Sequence, residues 1–155
     1  GQIDAEQAEP GFSMTKRDVR ELLVAYEAEF GTLEAVEVVF RPRSVTVQVP
    51  LGGPRSRVER WTWDGAWRKD SDATDVVPRQ RIDLGAIDVG ALVDNVATAR
   101  RTLGVERGRF THAVLAKPGE APAELTIHVE NEFHETGYLS TTPDGKILRR
   151  QRYRA

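Results

Sequence analysis

The segment IHVENEFH, Ile127 to His134, holds the densest run of groups able to do chemistry. Read as a strand, it sets His128, Glu130, Glu132 and His134 on one side, because successive side chains alternate. Imidazole and carboxylate are competent ligands for zinc and other transition ions. Same-side residues two apart on a strand stand about 7 Å from each other, so only neighbours in this row could share an ion and a third ligand has to come from another strand. His112 is the sole other histidine, and its facing is ambiguous. The plainer reading, a solvated strand face that breaks into a loop near Asn131, is preferred, and no metal or other cofactor is expected. Glu130 and Glu132 could form an acid–base pair only in surroundings that drive their pKa values apart, and nothing in the sequence supplies them. With no cysteine, phosphate-cradling glycine loop, nucleophile elbow or zinc-protease helix signature, no residue pattern supports catalysis.

Two further groups stand out. The run RRQRYR, Arg149 to Arg154, could contact phosphates, but charge on an edge strand also keeps sheets from pairing edge to edge. The edge-strand reading is preferred, since a formal net charge of −2 gives no global field for nucleic acid. Trp63 falls beside an Asp-Gly turn, where a tryptophan that cannot pack under the sheet is a contact candidate. The alternative is a ring folded over the stem of Arg68.

The elements that must position these groups start with two helices. Val19, Leu22, Leu23, Tyr26 and Phe30 recur at the spacing of one helix face. Thr15 with Asp18 resembles a capping box, and Gly31 supplies the left-handed stop. Val89, Leu92, Val93 and Val96 repeat the spacing seventy residues later, opened by Asp88 and closed by Gly104. Strands follow each helix: VEVVF and SVTVQV in the first half, FTHAVLA and ELTIHV in the second. Val45, Val47 and Val49 match Leu125, Ile127 and Val129 at an offset of eighty, which also carries Asp64-Gly65 onto Asp144-Gly145. A single lengthened hairpin loop, KPGEAPA, would reconcile the two offsets. The expectation is an α+β chain of two α-β-β-β-β repeats forming one antiparallel sheet with both helices packed on one face. Its parts are a disordered tail over 1–13, a first repeat over 14–69, a linker over 70–87 and a second repeat over 88–155.

Turn chemistry then assigns the faces. A two-residue Asp-Gly hairpin would put Pro143, which has no N–H, in a ladder position. A three-residue Pro143-Asp144-Gly145 loop avoids this and pairs Thr141 with Ile147. The same register in the first half pairs Trp61 with Trp67. Thr46, Gln48, Arg60, Thr62, Arg68, Thr126, His128, Glu130, Tyr138 and Ser140 then share the face away from the helices, which an antiparallel sheet can leave open to a partner. From these, Trp63, Arg60, Arg68, His128, Glu130 and Tyr138 are the candidate binding residues.

Hydrophobic residues make up 39% and charged residues 30% of the 155, a composition able to fold. No apolar run reaches the roughly 20 residues of a membrane span, so no membrane insertion is expected. The opening GQIDAEQAEPGF is polar and lacks an initiator Met, which suggests a start from which a signal peptide or anchor has been removed.

The two helices around Leu22-Leu23 and Leu92-Val93, with the hairpins WTWDGAWRK and TTPDGKILRR, give an architecture that resembles the β-lactamase-inhibitor-protein fold and its relatives among PepSY-like domains, over roughly Met14 to Tyr153. The resemblance implies a bacterial, extracytoplasmic or secreted domain whose open sheet face and hairpin tips grip a protein partner, often to inhibit or regulate an enzyme. The chain departs from the inhibitors in lacking cysteine. The alternative is a cystatin-like α+β fold of the NTF2-like type, where the strand ending WDGAWRK is also at home and a cone-shaped pocket binds or transforms a small molecule.

Overall fold

The computed structural model describes residues 11–52, 57–75 and 80–154, the side chains of 72–75 excepted. Helix α1 spans Lys16–Phe30. Its N-cap Thr15 accepts the Asp18 N–H at 3.2 Å. The return bond passes over the cap residue, since the Asp18 carboxylate accepts from Ser13 N at 2.9 Å and Ser13 Oγ at 2.7 Å. That anchors the chain ahead of the helix, and Phe12, which composition places in the tail, is buried in the core. Gly31 ends α1 at φ +74, donating its N–H to Glu27 O. Helix α2 spans Val89–Thr102, with Asp88 Oδ1 accepting the Ala91 N–H at 2.9 Å and Gly104 at φ +71 just beyond its end. Val19, Leu22 and Tyr26 of α1 and Val89, Leu92 and Val96 of α2 are buried, the face that the spacing predicts.

The strands are β1 (Glu34–Ala35), β2 (Glu37–Phe40), β3 (Val45–Pro50), β4 (Arg57–Trp63), β5 (Trp67–Asp75), β6 (Ile82–Asp83), β7 (Arg109–Ala116), β8 (Glu124–Glu130), β9 (Thr136–Thr141) and β10 (Ile147–Gln151). β1 and β6 form a small separate pair, and the other eight make one antiparallel sheet in the order β10-β9-β8-β7-β2-β3-β4-β5. Each half is a four-stranded meander, and the halves join through their first long strands, with Val38 opposite Leu115 and Phe40 opposite Ala113. Both helices pack on the face that carries Val38, Phe40, Val45, Val47, Ala113, Leu115, Leu125 and Ile127, and one hydrophobic core runs through both halves. β5 continues through Asp75, past the expected start of the linker at Asp70.

Three expectations are corrected by the register. In the second hairpin Thr141 does pair with Ile147, around a Pro143-Asp144-Gly145 loop closed by Thr142 N–H to Lys146 O. In the first, Trp63 pairs with Trp67 and Trp61 with Lys69. Trp63 occupies the place of Pro143, and because it has both an N–H and a large ring to bury, the strand runs one residue further before it turns. Trp63 therefore lies on the helix side, half-buried, its ring centroid 5.0 Å from that of Trp67. Trp67 meets Tyr26 at 6.1 Å and Phe30 at 5.1 Å and donates from Nε1 to Ala25 O. The tryptophans are the floor on which α1 rests, each aromatic pair adding about 0.5 to 1.5 kcal/mol to the area it buries.

As the plainer reading of IHVENEFH expects, the strand ends at Glu130 and the chain turns at Asn131, so His128, Glu130, Glu132 and His134 do not form one row. Asn131 turns inward and is buried, its Nδ2 donating to Glu106 O and Glu135 Oε1 while its Oδ1 accepts the N–H groups of Phe133 and Glu135. His134 takes φ +62 in that turn. Finally, the lengthening of the second half is divided. Val38 opposes Val47 while Ala113 opposes Ile127, so part of the insertion precedes β7 rather than lying wholly in the KPGEAPA hairpin.

Candidate functional site

The register builds the face away from the helices in rows. The central row crosses all eight strands: Arg149, Ser140, Thr126, Val114, Val39, Thr46, Thr62 and Arg68. Its middle is short side chains and its two ends are arginines. Arg149 lies across β9 to make a two-pronged contact with Glu124, at 2.7 and 3.3 Å, and shields Ser140 completely. At the other end Arg68 Nε bonds Asp70 Oδ1 at 3.2 Å, and the Thr62 hydroxyl donates to the other carboxylate oxygen. Arg60 is exposed one row away, between Gln48 and Ser71. Among the described residues no helix packs on this face.

A second row holds Tyr138, His128 and His112 side by side. The imidazoles of His112 and His128 are stacked, 4.3 Å between centroids and 10° between planes, and the Tyr138 ring follows at 5.8 Å. Thr111 Oγ1 lies 3.0 Å from His112 Nδ1 and 3.3 Å from His128 O. Partial burial pushes both histidines below the usual imidazole range. Arg41 pushes His112 down further, and the neighbouring His112 does the same to His128. Arg41, just past the end of β2, donates to Thr46 Oγ1 at 2.8 Å.

Of the six candidate residues, His128 and Tyr138 are direct neighbours and Glu130 is next along β8 on the same side. Glu130 is engaged by His134 Nδ1 at 3.1 Å. Arg60 and Arg68 share the face but belong to the other half, with four strand spacings, about 19 Å, between β8 and β4. Trp63 is on the opposite side. The aromatic exposed at a turn is Phe133, 69% accessible, between β8 and β9. His112 and Arg41 are the site residues that the sequence does not place. The obstacle at His112 is a bulge between Phe110 and His112, which leaves Phe110 opposite Val129 on the core side and turns His112 to the open side. The signal was an apolar Phe110 and a polar His112 at the same parity, a conflict that one extra residue resolves.

A groove of about 920 Å³ lies at the rim, lined by Val36, Gln80, Arg81, Lys117, Pro118 and Glu120 among others. It is open and charged, unlike the enclosed apolar pocket that suits a buried small molecule. No helix among the described residues is long and apolar enough to cross a membrane. The fold and this face together define an α+β protein with one eight-stranded antiparallel sheet, helices on one side and a polar and aromatic surface on the other. Comparison with protein-family models, curated proteins and solved structures finds no match.

Proposed function

We propose that this chain is a non-catalytic binding or regulatory module that grips a protein partner with the open face of its sheet. The observation that carries the reading is the face itself: eight strands wide, without a described helix over it, with short side chains in its middle row, arginines at both edges and a Tyr138–His128–His112 row beside them. Aromatic and arginine side chains are the groups that anchor protein interfaces. The duplicated helix-and-four-strand architecture, like that of β-lactamase-inhibitor proteins and PepSY-like domains, supports an inhibitory or regulatory role in an extracytoplasmic or secreted setting.

The test compares three forms of the protein as bait in extracts of cells that express it: unmodified, the Tyr138→Ala/Arg60→Ala variant, and a Val24→Ser control on the exposed side of α1. A protein held by the first and third and depleted at least tenfold from the second supports the reading. Equal recovery on all three baits, or no specifically held protein, refutes it.

A further inference from the structure

We propose that His112 and His128 form a two-imidazole chelate for a divalent transition ion of the zinc, nickel and copper class on the open face of the sheet. The two residues are directly opposed on β7 and β8, and opposed side chains on antiparallel strands start only about 5 Å apart at Cβ. Their rings already stand 4.3 Å apart between centroids. A tetrahedral ion with metal–nitrogen bonds near 2.0 to 2.1 Å holds two nitrogens about 3.3 Å apart and has to lie in both ring planes. The near-parallel rings, 10° between planes, must therefore together turn through roughly 100° before their lone pairs converge on one ion.

The proton arrangement favours it. Thr111 has one hydroxyl proton, and donating that to His128 O leaves its lone pair to accept Nδ1–H from His112. Neutral His112 is thereby held as the tautomer whose Nε2 carries a free lone pair. An oxygen that fixes the far ring nitrogen is how metal-binding histidines are commonly oriented. His128 has no hydrogen-bond partner for its ring among the described residues, so a ligand meets no competing contact there.

Around the pair, Arg41 opposes a cation, Glu130 stands one same-side step along β8 and Tyr138 flanks His128. The described residues place no group of three or more His, Cys, Asp or Glu together. The remaining coordination positions therefore go to water or to a group brought by whatever docks on the face. The ion would give His112 a role as a ligand, beyond its place in the row that the binding proposal draws on. It does not depend on that proposal.

The experiment uses the full chain without a histidine tag. Calorimetric titration with Zn(II) and Ni(II) should show one saturable site per chain, weakened at least tenfold by His112→Gln and by His128→Gln and unchanged by His134→Gln. Binding should weaken as pH falls below the imidazole range. Cu(II) paramagnetic resonance on the unmodified protein should show nitrogen couplings from two imidazoles, a readout that does not depend on how well the variants fold. Absence of saturable binding, loss with His134→Gln, retention in both His112→Gln and His128→Gln, or a copper signal from one imidazole would each overturn the assignment.

Discussion

His112 and His128 are stacked and half-buried, and that surrounding resists a charge on either ring. Their pKa values are lowered in the folded chain, first by burial, so the folded state binds protons less readily than the unfolded one. Above the unfolded imidazole value, about 6.5, neither state is charged at these positions and the pair costs nothing. As pH falls through that value the unfolded chain takes up protons that the folded chain refuses, and stability drops until the folded pair itself titrates. The urea midpoint is therefore expected to be lower at pH 5.5 than at pH 7.5, and the double variant His112→Gln/His128→Gln to flatten that difference. An unchanged pH dependence in the double variant would assign the effect to other groups. At this scale the sequence was readable where alternation holds, as for His128 and Tyr138. It was not readable at His112, because a bulge is a choice between two parities that only the core partner of Phe110 decides.

The hairpins show how one residue sets an element. Pro143 cannot donate in a ladder, which made the Thr141–Ile147 pairing readable. Carrying that register to the first hairpin failed because Trp63 has no such restriction and gains by burying its ring. The second turn is also not a free tip. Asp88 N–H bonds Pro143 O at 3.0 Å, Asn95 Nδ2 bonds Gly145 O at 3.1 Å, and a Cβ on Gly145 would collide with Ala91 Cβ. The loop is seated on the first turns of α2, and Gly145 is needed there twice over, for its φ of +99 and for the close approach. Gly145→Ala is expected to cost about 2 to 4 kcal/mol, from strain and overpacking together. Ala91→Gly alone should cost about 1 kcal/mol, yet in the same chain as Gly145→Ala it should recover part of the loss. Denaturation of the two single variants and the double gives the coupling. Simple additivity would mean that the contact between loop and helix is not the source.

At the scale of the molecule, the repeat was visible in matched punctuation, but how the copies meet was not, since no local pattern says which strands become neighbours. The structure joins them through β2 and β7, in the middle of the sheet, and extends one core from Val19, Leu22 and Tyr26 to Leu92, Val96 and Leu139. Neither meander stands apart, because their first strands are paired, the two helices touch and a single hydrophobic cluster runs through both halves. The halves should accordingly unfold together. The chain offers a direct check, since its three tryptophans, Trp61, Trp63 and Trp67, all lie in the first half. Tryptophan fluorescence thus follows that half alone, while far-ultraviolet circular dichroism follows both helices and all the strands. Coincident urea transitions by the two signals are expected, as for a single cooperative unit. Leu22→Ala in α1 and Leu92→Ala in α2, each removing a side chain that is 1% exposed, should lower stability by about 2 to 5 kcal/mol. Each should move both signals by the same amount, although only one of the two sites lies in the half that fluoresces. If Leu92→Ala shifts the dichroism and leaves the fluorescence transition in place, the copies are separable folding units and the shared core does not bind them into one.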